Sequence, residues 1–520
     1  MVPAIVTAWC LRSLASPGYV LQVDAIFGPH SPFPTWGFTA PIQLITYLIG
    51  GAAAGRMWLG SALFLCGFGP MVLFRKSPWS VQLFVGLLGS LNPFVYGRLV
   101  EGQWGVAAAL GMTFLWLGAW ESLQRRPRLA GAALCTLLAL GAMMFDQHAI
   151  GLLAVLAGAS LIWNRAWREP GRLGWSGASF LFLGILLLFG LVPFFLSHGS
   201  DSYFAVARFS RGDLVEFRAA ASRSYGLWVN LAGLFGFWPE RLGRIPLLHQ
   251  GAPWWPFTTA VLISAAVAGA FLRRSHGWLL LTGLVGLAIA GSTATGPGLD
   301  ALQWLFQRVP LLAAYREPEK WSALWAIALI VLGAEALKVL LAKAATGRPR
   351  NSALAGLAAV CIGLAVLVPD GIGALRELPA TIVPVKYPSS WLGAATYLRD
   401  TVPLHEPVVV LPWTLYEPLP FTGDRLTSNP APVVFSGKLL SSNDAQIPGV
   451  ANETGPDDLA AAALHPKMGS CELASKLQHL GVKWAIVEPA PGGRADARAL
   501  LNCGFKVRYG RLPGIVVLSR

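Results

Sequence analysis

Between residues 3 and 368 the chain alternates long apolar stretches with short polar joints. A bilayer core of about 30 Å takes roughly 20 apolar residues as helix. The apolar stretches therefore predict spans at 3–16, 57–74, 78–96, 103–122, 129–145, 148–163, 174–197, 256–272, 277–292, 321–341 and 352–368. Span 3–16 is short and contains Arg12, which reads as a tilted helix with a snorkelling arginine. The 41–54 stretch (PIQLITYLIGGAAA) reads as an interfacial helix, because a further span there would reverse every later loop.

After Pro369 the pattern changes. Val408–Leu411, Trp484–Val487 and Gly514–Leu518 are short apolar runs with the look of buried strands. Helical patterns at 389–401 and 470–481 flank them, and Gly481 falls where a helix C-cap is expected. The region 415–460, rich in Pro, Ser, Asn and Gly, predicts long loops. The fold class implied is an α-helical polytopic membrane protein of about eleven transmembrane helices (1–368, with long outer loops at 17–56 and 198–255). A small C-terminal α/β domain outside the cytoplasm follows at 369–520.

Charge orients this arrangement. Alternate joints carry Arg75-Lys76, then Arg125-Arg126-Arg128, Arg165/Arg168/Arg172, Arg273-Arg274, and Lys338/Lys343/Arg348/Arg350. The joints between them hold Arg98 or no cation. Cytoplasmic loops collect Lys and Arg, so the N-terminus is expected in the cytoplasm and the C-terminal domain outside, in the cytoplasmic membrane. The 198–255 joint holds six Arg residues on the outer side, but long loops follow the bias poorly. Its segment 205–228 has the pattern of an amphipathic helix against headgroups.

Composition agrees. Only 13% of residues are charged and 54% are hydrophobic, against roughly 25% charged in soluble proteins. The net charge of +14 sits mostly in interspan joints, which argues against a nucleic-acid partner. Cys10, Cys66, Cys135 and Cys361 fall in spans; Cys471 and Cys503 share the outer domain and are either a disulfide or two buried thiols.

The ionisable residues of interest cluster on the outer joints. Asp24 lies in GYVLQVDAIFGPH, Arg98 and Glu101 in NPFVYGRLVEGQW, Asp146 and His148 in FDQHA, and Arg316, Glu317, Glu319 and Lys320 in AYREPEKW. Carboxylates with a basic cluster at a water–membrane boundary suit sugar transfer from a lipid phosphate. A carboxylate takes the proton of the attacking hydroxyl, and cations hold the departing phosphate. Bland readings compete: an ordinary loop carboxylate for Asp24, an Arg98–Glu101 ion pair at i, i+3, a turn cap for Asp146 and His148, and interfacial anchoring with local salt bridges for Arg316–Lys320.

With these motifs the chain resembles the GT-C class of polytopic glycosyltransferases, which use polyprenyl-phosphate sugars. PGYVLQVDAIFGPH, the REPEK segment, VVVLPW and LGVKWAIVEP carry the resemblance. It implies Asp24 as general base and Glu101 as a second acidic residue that positions the acceptor or a divalent metal, Mg²⁺ or Mn²⁺. Arg316 and Lys320 would hold the donor phosphate, with Arg98, Asp146, His148 and Glu317 lining the substrate site. It further implies an inverting reaction with a polyprenyl-phosphate sugar as donor and a glycan, lipid or protein as acceptor. A non-catalytic scaffold and a lipid or solute transporter are the alternatives.

Overall fold

The computed structural model describes residues 1–30, 40–196, 211–249, 252–309, 312, 315–346, 349–442, 464 and 470–520. The chain divides into two compact units. The first comprises Met1–Ser13, Trp58–Val192 and Phe217–Ile382; the second comprises Leu14–Met57, Pro193–Glu216 and Val383–Arg520.

Unit 1 is a helical bundle. Among the described residues eight helices are long and apolar enough to cross a bilayer: Gly51–Leu73, Trp79–Glu101, Trp104–Arg125, Pro170–Leu188, Arg274–Ser292, Trp255–Leu272, Pro318–Thr346 and Ser352–Thr381. Leu129–Phe145 and Ala149–Trp163 are apolar but shorter. The chain is thus a multi-pass membrane protein. The first expected span is not among these helices. Its helix runs only Val2–Cys10 before a 3₁₀ turn at Arg12–Ala15, far short of the roughly 20 residues a bilayer takes. Arg12 donates to the Trp9 carbonyl and lies over the Trp9 ring, which ends that helix. The 41–54 stretch is helical, as Ala40–Ile49 and the start of Gly51–Leu73. The single amphipathic helix expected at 205–228 is not what forms. Its described part breaks into Arg211–Glu216 and Gly226–Ala232, each with its own termini.

The helix Ser322–Thr346 is buried without interruption from Ser322 to Leu337, so neighbours enclose it on every side. Close approach depends on glycine. A Cβ at Gly269 would lie 1.9 Å from the Leu332 carbonyl oxygen, and one at Gly111 would lie 2.4 Å from the Leu65 backbone. Small residues at such crossings let backbones meet where no hydrophobic drive separates protein from lipid. Rim helices instead expose Leu181, Ile185, Leu354 and Leu357, side chains suited to acyl chains.

Unit 2 is built on a five-stranded sheet in the order β4-β1-β5-β7-β6. Its strands are β1 (Pro407–Leu411), β4 (Lys438–Leu440), β5 (Trp484–Val487), β6 (Lys506–Gly510) and β7 (Val516–Ser519). β4 and β5 both run parallel to β1, while β7 is antiparallel to β5 and β6. The three strand runs read from the sequence are β1, β5 and β7. Both sheet faces are covered, which is why these runs lack polar alternation. Val408, Val410, Ile486 and Val517 pack with Trp391 and Leu398 of the helix Ser389–Thr401. Val409, Leu411, Ala485 and Val487 face Leu473 and Leu477 of Ser470–His479 and Leu500 of Gly493–Asn502. A disulfide, Cys471–Cys503, ties these last two helices. Gly481 adopts a positive φ of 69° just beyond the first of them. The described part of 415–460 carries more order than loops: a hairpin of β2 (Tyr416–Pro418) and β3 (Leu426–Ser428), a short helix at Ala431–Val434, and β4. Residues 443–460 lie outside the described residues.

The 14–57 segment belongs with this unit. Tyr19 and Val385 exchange backbone hydrogen bonds of 2.8 Å in both directions. His30 donates to the Val433 carbonyl, and the Tyr387 hydroxyl donates to the Phe27 carbonyl. Leu21, fully buried, joins the Trp391 core. Residues 369–381, placed with the outer domain by composition, continue helically as Ile372–Thr381 and cluster with unit 1.

Candidate functional site

Within unit 1, a break in one long helix builds the first part of the site. Asn92 is extended (φ −76°, ψ 155°), accepts from Val95 N–H at 3.0 Å and starts the helix Pro93–Glu101 with proline at its first position. Gly102, at φ 99°, ends it. Nine residues thus carry Arg98 and Glu101 into a buried setting, each side chain about 1% exposed.

Arg98 gathers partners distant in sequence. It donates to Gln103 Oε1 at 2.5 Å, lies 3.4 Å from Glu319 Oε1 and 3.6 Å from Glu317 Oε2, and stacks 3.6 Å above the Phe237 ring. Glu317 is the hub. It accepts from Gln103 at 3.1 Å and Trp238 Nε1 at 3.3 Å, and pairs with Lys320 at 2.9 Å. Burial alone would push its carboxyl up, but Lys320 and Arg98 outweigh that and hold it below the usual carboxylate range. The REPEK segment can present these groups because Pro318–Trp321 forms a tight 3₁₀ turn leading into the central helix.

Beside this hub, Asp146 Oδ1 lies 2.7 Å from His148 Nδ1 and also accepts the His148 backbone N–H at 3.3 Å. Burial works against the charge on Asp146, yet His148 and Lys320 prevail and hold its carboxyl at about 2. His148 packs edge-on to Tyr315, whose hydroxyl accepts the Gly151 N–H. Asp146, His148, Tyr315, Lys320 and Trp321 line one small crevice.

The expected Arg98–Glu101 pair does not form. Glu101 pairs with Arg244 at 3.4 Å, because Arg98 is turned toward Glu317 and Glu319. The Arg316 guanidinium lies over the Phe217 ring, 5.2 Å from its centroid. Four contributors were absent from the sequence candidates: Gln103, Trp238, Glu240 and Arg244. Trp238–Arg241 is a short helix whose Glu240 accepts from the Gly236 and Phe237 N–H groups at 3.0–3.2 Å. Burial pushes the Glu240 carboxyl up to about 7 despite those bonds. A proline at the second helical position with glutamate one residue later was the legible signal, hidden in an arginine-rich loop.

Asp24 lies in unit 2. It is exposed, and the Tyr416 hydroxyl donates to its Oδ1 at 3.3 Å. Unit 2 also buries two acids together. Glu417 on β2 and Glu488 after β5 are each about 1% exposed and share Asn429 Nδ2, at 3.4 and 3.1 Å. Thr414 donates to Glu417 at 2.7 Å. Burial raises both carboxyls, and the neighbouring Glu417 raises Glu488 further.

Asp24 and Glu101, the carboxylates expected to hold Mg²⁺ or Mn²⁺, belong to unit 2 and unit 1 respectively. A guanidinium already occupies the Glu101 carboxylate, and a cation there competes with a metal. Among the described residues no three His, Cys, Asp or Glu side chains gather as a ligand set.

A helical bundle of this kind with a small α/β sheet unit is a GT-C-like fold. The arabinofuranosyltransferase AftD from Mycobacteria superposes with a TM-score of 0.61 over 100% of this chain at 13% identity. A mutant form of AftD gives 0.56 over 99% at 14%. The chain spans 39% of AftD's length. ArnT from Cupriavidus metallidurans aligns over 99% of this chain and 93% of its own at 16% identity, with a TM-score of 0.43. No protein-family profile and no curated protein sequence matches the chain.

Proposed function

We propose that the chain is a membrane glycosyltransferase that moves a sugar from a polyprenyl-phosphate donor to a glycan, lipid or protein acceptor outside the cytoplasmic membrane. The observation that carries this reading is the convergence of Arg98, Glu317, Lys320, Asp146 and His148 at one end of a GT-C-like bundle. The neighbour's name, an arabinofuranosyltransferase, supports sugar transfer as the reaction class, and the alternation of cationic joints supports a cytoplasmic N-terminus.

In this reading Lys320 and Arg316 hold the departing phosphate. Lys320 has three N–H donors, and its Glu317 contact takes one, leaving two for phosphate oxygens. The buried setting strengthens their pull on charge that develops at the phosphate. Arg98 and Glu317 fix where Lys320 points, and Glu101, tied to Arg244, positions the acceptor. Asp24, a carboxylate exposed to water, takes the proton of the acceptor hydroxyl. One direct displacement at the anomeric carbon inverts its configuration.

Sugar transfer from radiolabelled polyprenyl-phosphate sugars, by purified protein in lipid, tests the reading with wild type and Asp24→Asn. Turnover that collapses in the variant while donor binding persists is the expected result. Turnover unchanged by the substitution would remove Asp24 as base. Failure of every donor in a broad panel to bind or react would leave a non-catalytic scaffold.

A further inference from the structure

Unit 1 has a second polar concentration at the other end of its helices. The helix Trp104–Arg125 starts beside Gln103 of the Arg98 cluster and ends, about 30 Å away, at the rim of a cavity of about 880 Å³. We propose that this cavity is a binding site for the phosphate headgroup of an anionic membrane lipid.

Its rim holds Arg75, Lys76, Arg125, Arg126, Arg273 and Lys338 against two carboxylates, Glu121 and Glu335. The carboxylates are already engaged. Glu121 pairs with Arg125 at 2.7 Å and His276 at 3.3 Å, and Glu335 with Lys338 at 3.0 Å and Arg273 at 3.3 Å. Arg75, Lys76 and Arg126 have no ion-pair partner among the described residues, although they border the same hollow. Six cations against two acids leave an excess of four positive charges facing it.

The floor decides which anion fits. Phe114, Leu115, Leu138 and Val331 lie beneath the rim on helices of the bundle, where they offer nothing to a free phosphate ion. Leu134, on the cavity wall, is 49% exposed on the flank of an apolar helix, which gives an acyl chain a way in from the bilayer. A cationic rim over an apolar floor matches a phosphate headgroup with its first chain carbons. Basic pockets between transmembrane helices bind anionic lipids in this manner, and the volume lies in the range of ordinary ligand sites.

The test is native mass spectrometry of the purified full chain with phosphatidylglycerol or phosphatidylcholine at equal concentration. The comparison is with the triple variant Arg75→Gln, Lys76→Gln, Arg126→Gln. None of the three makes an ion pair among the described residues, so thermal unfolding should be unchanged and will show that the variant folds. The wild type should retain phosphatidylglycerol selectively, and the variant should bind it about a hundredfold more weakly at low salt. Equal retention of the two lipids, or a variant that binds phosphatidylglycerol like the wild type, overturns the proposal. Displacement of the lipid by the same concentration of glycerol phosphate overturns the lipid part of it and leaves a site for a soluble phosphate.

Discussion

Arg98 and Glu319 stand 221 residues apart in sequence and 3.4 Å apart in the bundle, both almost wholly buried. A buried pair contributes little net stability when intact, but losing one partner strands the other's charge. Arg98→Leu should therefore cost about 3–5 kcal/mol, read as a fall in thermal unfolding temperature in detergent. Adding Glu319→Gln should recover most of the loss. A single variant within 1 kcal/mol of wild type, on the order of an exposed pair, would contradict this picture.

Lys320 sits 2.9 Å from Glu317 with two further donors to offer. Lys320→Gln should lower the rate of sugar transfer by about 10²–10³, as loss of one preorganised electrostatic contact does. Glu317→Gln should lower it less, because that carboxylate holds the lysine in place. Initial rates with a saturating donor separate the two.

Burial opposes the charge on Asp146, but His148 and Lys320 hold the pKa of its carboxyl down at about 2 against an ordinary 3.8. A depressed carboxylate contributes stability above the unfolded value and loses it as pH falls through the folded one. Unfolding temperature should be flat with respect to this group above about pH 5, and should fall between pH 4 and 2. Asp146→Asn should remove that part of the acid slope, measured as the difference between the two pH profiles.

The Glu417–Glu488 pair has the opposite sign. Burial raises both carboxyls, so their contribution is complete below the ordinary glutamate value near 4.5 and is lost as pH rises through the raised ones. Asp496, pushed up by burial to about 6, and after that by Glu417, adds to the same trend. Hydrogen exchange in β5 and β2, corrected for intrinsic rate, should be faster at pH 8 than at pH 5. Glu488→Gln should flatten the difference, and protection that increases with pH would refute the pairing.

Cys471 and Cys503 close a loop of 32 residues between two helices on one sheet face. Chain entropy assigns such a loop about 3–4 kcal/mol. The Cys471→Ser, Cys503→Ser double variant should lose about that much stability in denaturant unfolding of unit 2, and reductant should then have no further effect.

Much of this architecture is legible in the sequence. Span helices announce themselves because lipid demands long apolar runs, and β1, β5 and β7 do so because both sheet faces are dry. The first span misled, since Val2–Cys10 is apolar enough for a membrane helix but ends where Arg12 turns back on Trp9. The hairpin of β2 and β3 was hidden because strands of three residues leave no periodicity to read.

For the site, REPEK stood out because charge beside a span is costly and conspicuous. The partners of those charges did not. Arg98 has Glu101 three residues away and yet meets Glu317 and Glu319, because Arg244, in a remote loop, takes Glu101. Local spacing predicts pairs on one helix face; a bundle offers alternatives that only the packing reveals. Glu240 looked like one acid among many arginines, and its role in closing the Trp238 turn depends on Gly236 and Phe237 N–H groups.

The Tyr387–Phe27 hydrogen bond joins positions 360 residues apart, and Leu21 completes a core made otherwise of residues beyond 384. A ribosome adds about 5–20 residues per second, so the 17–30 segment waits roughly 20–70 s between its own synthesis and that of the strands it joins. During that interval the eight long apolar helices between Gly51 and Thr381 are made while Leu21 remains without its pocket. The 17–30 strap is therefore made well before the residues that receive it. A chaperone that shields it in the meantime would act on the timing of assembly, with no effect on the finished structure.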